Sequence, residues 1–270
     1  MQAIKGEIKM DLPMYRDETQ EWNHAMLLYD SALKEIDTKL QILSNEFKLE
    51  HKYNPIEHIT SRIKSMDSIA KKIRNDGREL TVENIVKYVN DVAGIRVICS
   101  FTSDIYRIAD AISHQSDVKV LKVKDFIVNP KPNGYRSYHM IVAIPIFLSN
   151  RVTDTKVEIQ IRTIAMDFWA SLEHKIYYKF EGNAPEHIRE ELRACSEITA
   201  TLDKRMHDLN EEVKYISSPD GYVDYTYATK SMINEEYYGT LAEEEVKAKT
   251  VDGEEVEDGI DVLPKNPFSL

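Results

Sequence analysis

The sequence predicts an α/β (α+β) fold in which a β-sheet with its helices lies between two long terminal helices. Three observations predict it. Trp22, Met26, Tyr29, Leu33, Ile36, Leu40, Leu43 and Phe47 are spaced 4, 3, 4, 3, 4, 3, 4, the mark of a helix with a 3.5-residue apolar seam. Ile188, Leu192, Cys195, Thr199, Leu202, Met206, Leu209 and Val213 repeat that spacing near the other end. Between them, segments such as "TKVEIQIRT" (155–163) alternate apolar and polar residues, as half-buried strands do. Two helices with matching seams are expected to pack on each other, within one chain or across an interface between copies.

The elements follow in order. Pro55 opens a helix running to about Asn75, where "NDG" (75–77) stops it. "GIRVICSF" (94–101) is a strand, and Ser103–His114 a short helix. "VKVLKVKDFIV" (118–128) is a strand closed by the turn-rich "NPKPNG" (129–134). "GYRSYHMIVAIPIF" (134–147) is the next strand, and "TKVEIQIRT" the last. Ile164–Phe180 is a helix; "GNAP" (182–185) breaks it, with Pro185 suited to the first turn of the final helix. Beyond about Ser217 periodicity is lost and the chain becomes acidic, which predicts a mobile tail. Its Tyr-rich stretch 220–239 is expected to dock on the body and temper activity.

Composition narrows the class. The 270 residues are 42% hydrophobic and 30% charged, as in a globular protein with a sizeable core. The longest apolar run, Met140–Leu148, is interrupted by Pro145 and too short to span a membrane. The first residues lack the apolar core of a signal peptide. Cys99 and Cys195 both fall in apolar patterns, so two buried thiols and a cytoplasmic location are expected. The net charge of −11 belongs to the tail: residues 216–270 carry 13 Asp/Glu and 4 Lys/Arg, leaving −2 for the first 215.

The polar strand faces carry the chemistry. Tyr138, Met140, Val142 and Ile144 share one face, and Tyr135, Ser137 and His139 the other. In the next strand Val157, Ile159 and Ile161 face the core, while Glu158, Gln160 and Arg162 face away. A carboxylate, a histidine and an arginine in mid-sheet are costly unless paired or bound to a ligand. Asp91 stands at the mouth of the strand holding Arg96, in keeping with ligand binding at strand ends in open α/β sheets. Asp91 and Glu158 are a candidate Mg²⁺ pair. Arg62, Lys64, Ser68, Lys71, Lys72 and Arg74 crowd one segment, and Lys64, Ser68, Lys71 and Lys72 form one stripe at helical spacing. Arginine forks and lysine point charges suit a triphosphate.

"RIKSMDSIAKKIR", "DVAGIRVIC", "NGYRSYH" and "VEIQIRTIAMDFWASLEH" together resemble the synthetase domain of RelA/SpoT-type alarmone synthetases, above all the small single-domain ones, over about residues 20–215. The resemblance implies a nucleotidyltransferase-like mixed β-sheet. It implies transfer of the β,γ-pyrophosphate of ATP to the 3′-OH of GDP or GTP, giving (p)ppGpp and AMP, and a homotetramer. Arg62, Lys64, Ser68, Lys72, Arg74 and Arg96 are then the ATP-binding residues. Asp91 and Glu158 hold Mg²⁺, with Glu158 also activating the attacking hydroxyl. Tyr135 stacks on guanine, His139 lies near the acceptor's phosphates, and Gln160 and Arg162 shape the floor. Asp167 departs from the pattern: it stands where some members have an Asn that contacts guanine, though a carboxylate also accepts from N1–H and N2–H₂.

Three functions follow for comparison. The first is (p)ppGpp synthesis. The second is a toxin-type relative that pyrophosphorylates the 3′ end of tRNA, for which the near-neutral body offers only modest basic patches. The third is a non-catalytic nucleotide sensor, which needs a broken site, whereas Asp91, Glu158 and Tyr135 are intact. The expected organisation is an N-terminal segment 1–19, a synthetase domain 20–215 and an acidic tail 216–270.

Overall fold

The structure, a computed structural model, describes residues 18–50, 53–180 and 184–217. Five strands form one mixed sheet in the order β1-β2-β5-β4-β3. They are β1 (Ile56–Ile63), β2 (Ala93–Cys99), β3 (Lys119–Asp125), β4 (Tyr138–Phe147) and β5 (Val152–Thr163). Only β2 and β5 pair in parallel; the other three pairings are antiparallel. The helices are α1 (Glu18–Glu50), α2 (Met66–Asn75), α3 (Val82–Tyr88), α4 (Thr102–Ser113), α5 (Ile164–Tyr178) and α6 (Glu186–Ser217). The expected α+β class and the two long terminal helices are thus present. The expectations for the first 17 residues and for the tail beyond 217 lie outside the described residues.

The core sits on one face of the sheet. Ile95, Val97, Val157, Ile159, Ile161, Met140, Val142 and Ile144 are almost fully buried there, in one cluster with α1 and with Ile105, Ile108 and Ile112 of α4. The α1 seam lies against it: Tyr29, Leu33, Ile36, Leu40, Leu43 and Phe47 are buried. Burying each such side chain contributes roughly 1.5–3 kcal/mol, which is why this helix is committed to the sheet.

The second seam behaves differently. On α6, Leu202, Met206, Leu209 and Val213 are each at least half exposed, and Cys195 is exposed too. The buried positions of α6 are polar ones, Ser196 and Asp203. The expected pairing of the two seams within the chain therefore gives way to sheet packing of one and outward display of the other. Cys99 is buried as expected; Cys195 corrects the expectation of two buried thiols.

Two further corrections concern the first α/β unit. The segment after Pro55 is not a helix but β1, and the helix begins only at Met66, where the Ser65 side chain accepts from the Ser68 N–H. Ile56, Ile59 and Ile63 mimic a helical stripe, but β-branched residues suit a pleated surface, and β2 supplies an antiparallel ladder from Ile56–Cys99 to Ile63–Ala93, with one register shift between Ile56 and His58. The short helix α3 was not predicted. Thr81, which accepts from Asn84 N–H, was its readable signal.

Candidate active site

The face opposite the core is polar. Register brings Arg96, Gln160 and His139 into one row across β2, β5 and β4. In the next row Arg62, Gly94 and Glu158 are neighbours. Period-two alternation then puts Arg62, Arg96, Glu158, Gln160, Arg162 and His139 on one floor. The site thus lies on the sheet face, and Asp91 precedes the amino end of β2 rather than following a strand's carboxyl end.

Tyr135 reaches this floor from a loop. It precedes β4, and the turn before it needs Gly134 at φ +90°, with Gly134 N–H donating to the Lys131 carbonyl and Tyr135 N–H to Asn133 Oδ1. The strand expected from Gly134 therefore begins at Tyr138. From the loop, the Tyr135 hydroxyl lies 2.9 Å from His139 Nε2 and accepts from Arg162 Nη2 at 2.6 Å. Ser137, expected to line the floor, is fully buried and donates to the Ile161 carbonyl.

Arg162 organises the network. Its exposure is 5%, so its charge must be met inside the protein. Nε donates to Ser137 Oγ at 3.4 Å, Nη1 to Asp167 Oδ1 at 3.0 Å, and Nη2 to both the Tyr135 hydroxyl and Gln160 Oε1. Gln160 in turn donates to Glu158 Oε2 at 2.8 Å. The Tyr135 hydroxyl can accept from Arg162 and still donate its own proton to His139 Nε2. His139 then carries its hydrogen on Nδ1, which lies 3.5 Å from Glu158 Oε1. Burial lowers the His139 pKa, which agrees with a neutral imidazole.

The two carboxylates are prepared as anions. Burial works to raise the Glu158 pKa, but the hydrogen bond from His139, the charge that His139 carries once protonated and the hydrogen bond from Gln160 outweigh it and the net direction is down; the charge of Asp91 opposes this, as expected of neighbouring carboxylates. Burial also works to raise Asp91, and two lysines reverse the balance. Lys64 Nζ lies 2.6 Å from Asp91 Oδ2, and Lys72 Nζ 2.9 Å from Oδ1. Lys64 sits in the turn after β1, and its N–H is held by the Val92 carbonyl. Ser68 and Lys72 share a face of α2 at i, i+4. Arg74, two residues beyond Lys72, lies on another side of the helix and is exposed.

Asp167, in the first turn of α5, binds both Arg162 and Arg96 (3.1 Å) through the same oxygen, Oδ1. It is thus the counter-ion of two arginines. The Arg96 Nε–H is buried with no hydrogen-bond partner.

Two residues of the site escaped the sequence reading. Lys131 Nζ lies 4.9 Å over the Tyr135 ring and 4.8 Å over Phe126. A basic residue four positions before Tyr135 was the available signal. Lys156, on the same strand face as Glu158, donates to Asn90 Oδ1 and the Lys87 carbonyl, and so holds the turn that carries Asp91. A lysine alternating with Glu158 and Gln160 was legible, but not its burial.

A family model described as a region found in RelA / SpoT proteins matches residues 61–183, from within β1 to just past α5. The GTP pyrophosphokinase YwaC of Bacillus subtilis (strain 168) is 48% identical over 194 residues, which are 72% of this chain and 92% of YwaC. Among solved structures, the small alarmone synthetase 2 from Bacillus subtilis superposes with a TM-score of 0.65 at 46% identity, covering 71% of this chain and 99% of that one. The small alarmone synthetase 1 from Bacillus subtilis bound to its product pppGpp superposes with a TM-score of 0.67 at 35% identity, covering 72% and 98%. The chain belongs to the RelA/SpoT family and, within it, to the small alarmone synthetases.

Proposed function

We infer that this protein is a (p)ppGpp synthetase, a GTP pyrophosphokinase that transfers the β,γ-pyrophosphate of ATP to the 3′-OH of GDP or GTP and releases AMP. The observation that carries the reading is the continuous polar floor from Tyr135 through Arg162, Gln160 and Glu158 to the Asp91–lysine cluster. Its relatives' names and the product-bound neighbour support it. The acting unit is taken as residues 20–215.

The chemistry is positioning and charge neutralisation, as in other phosphoryl transfers. Arg62, Lys64, Ser68, Lys72 and Arg96 bind the ATP phosphates, while Arg74, on another side of α2, stands apart from them. Lys64 and Lys72 are held by Asp91, so their ammonium groups are oriented before substrate arrives. Arg96, about a third exposed on the floor (36%), presents the rest of its guanidinium to phosphate oxygen. Ser68 lies in the first turn of α2, where free backbone N–H groups favour anions. On the acceptor side Tyr135 stacks on guanine, and Asp167, with one oxygen engaged by the arginines, offers the other to N1–H and N2–H₂. His139, neutral and anchored at both nitrogens, lines the acceptor pocket beside Gln160 and Arg162.

Asp91 and Glu158 fit a magnesium ion. They are two ionised oxygen donors near enough to feel each other's charge, and Mg²⁺ is commonly held by one or two carboxylates together with substrate phosphates. The ion, when bound, neutralises charge on the transferred pyrophosphate. Glu158, kept anionic, accepts a hydrogen bond from the 3′-hydroxyl and receives its proton as the new bond forms.

The chain acts as a homotetramer in the cytoplasm, where its nucleotide substrates are. The outward seam of α6 supports a second copy as its partner: identical 3.5-residue seams are self-complementary and would cover Leu202, Met206, Leu209 and Val213.

The test is direct. Purified protein with Mg²⁺ and labelled ATP is offered GMP, GDP, GTP, ADP or tRNA. AMP release with labelled product from GDP or GTP is expected. No product from either guanine nucleotide overturns the reading, and label in tRNA alone moves the acceptor to RNA.

A further inference from the structure

We propose that α6 is the positioning element of the acceptor half of the site, acting through Ser196 and Asp203; the proposal deepens the synthetase reading and rests on it. Neither residue touches the polar floor. They lie seven residues apart, two turns along one side of α6. They are also the buried polar residues of that helix, 3% and 7% exposed.

Ser196 holds the loop that presents Tyr135. Its Oγ donates to the Gly134 carbonyl at 2.5 Å. Helix and loop also touch: a Cβ on Gly134 would fall 2.7 Å from Ser196 Cβ and 2.8 Å from its Oγ. The loop's other backbone ties run to its own flanks, Lys131 N–H to the Tyr135 carbonyl and Arg136 Nη1 to the Ile127 carbonyl. An open cavity of about 680 Å³, lined by Pro132, Asn133, Tyr177, Arg189 and Arg193 among others, separates it from α5 and the start of α6. The outlying contacts are long, Asn133 to Glu173 at 3.2 Å and Arg136 to Glu197 at 3.4 Å, and each has an exposed partner. The hydroxyl end of Tyr135 is held by Arg162 and His139, and the Ser196 bond, next to Tyr135 in sequence, is the short, buried tie that fixes its backbone end to α6.

Asp203 holds the other anchor. Its Oδ2 accepts from Thr163 Oγ1 at 2.7 Å. Thr163 follows Arg162 and caps α5 by accepting the Met166 N–H at 3.1 Å. The bond to Asp203 turns the Thr163 proton away from the helix and leaves its lone pair to the cap. One helix face thus sets both Tyr135 and the Arg162–Asp167 junction, the two parts of the network that meet the acceptor. The Asp91, Lys64 and Lys72 cluster makes no use of it.

Steady-state kinetics on the full chain test this. Ser196→Ala and Asp203→Ala are each expected to raise KM for GDP or GTP roughly two- to tenfold, the effect of one lost hydrogen bond. KM for ATP should stay within about twofold. Asp203→Asn retains an oxygen acceptor and should restore the acceptor KM. Thr201→Ala, an exposed change on the same helix, is the control for helix propensity. An unchanged acceptor KM in either alanine variant overturns the proposal, as does an equal rise for both substrates, which is what a merely structural role gives. If Asp203→Ala does not fold, Ser196→Ala decides alone. A wild-type protein that turns over neither guanine nucleotide sinks the synthetase reading itself, a separate outcome.

Discussion

Asp91 is ringed by Lys64 and Lys72, and Glu158 by His139 and Gln160, so both carboxylates are anions at neutral pH despite their burial. Glu158→Gln keeps shape and hydrogen-bonding capacity but loses the charge and the proton acceptor. A fall in kcat of roughly 10²–10⁴-fold is expected, with thermal unfolding near wild type; near-normal turnover would remove Glu158 from the chemistry. Asp167 has two duties, counter-ion and proposed guanine reader. Asp167→Ala leaves Arg162 buried without its charge partner, a loss of about 3–5 kcal/mol in stability. A urea midpoint unchanged in that variant would contradict the counter-ion role. Lys156 gives a pH signature. Burial lowers its pKa from 10.5 to about 8 in the folded chain. Between those values the unfolded chain holds a proton that the folded chain does not, so the penalty for burying the charge is full below about 8 and fades as pH rises toward 10.5. Stability should rise across that window by up to roughly 3 kcal/mol. Urea unfolding of wild type and Lys156→Met checks this: a difference between the two that stays flat from pH 8 to 10.5 refutes it.

At the level of the element, the two long helices share a spacing and have opposite fates. The α1 seam is buried on the sheet, whereas the α6 seam looks outward and its polar side faces in. The seam periodicity was legible in both, but periodicity reports that a face is apolar, not what covers it. In α6 the choice is made by Ser196 and Asp203, whose partners, Gly134 and Thr163, are 62 and 40 residues away in sequence. No local pattern announces such bonds. The proposed tetramer is tested on this element. Leu202→Glu with Leu209→Glu puts charge on the outer face and should dissociate the assembly, read by light scattering, with helix content retained. A wild type that is already monomeric refutes it. The segment after Pro55 shows the complementary failure. Its isoleucines at positions 56, 59 and 63 fit a helix nearly as well as a strand, and the ladder to β2 settled the matter.

Taken whole, the molecule is a sheet with a greasy side for its helices and a polar side for its ligand. That division was readable from "TKVEIQIRT" and "SYHMIVAI" alone, because alternation is a geometric property of strands. So the α+β class and Glu158, Gln160, Arg162 and His139 on one floor follow from residues in order plus one rule of pairing, whereas Arg62, expected on a helix, joins that floor only because β1 pairs with β2. Lys131 over Tyr135 and Lys156 under the Asp91 turn did not, since each depends on where a loop is brought.

The amino-acid order by itself determined the class of fold, the two faces of β4 and β5 and several residues of the polar floor. Only the tertiary structure decided that Tyr135 arrives from a loop, that Asp167 serves two arginines, and that α6 turns its polar side inward. The reason is physical. Strand alternation and helix periodicity are fixed by neighbours along the chain, whereas partners for buried polar groups come from segments far apart in it, and only folding brings those together.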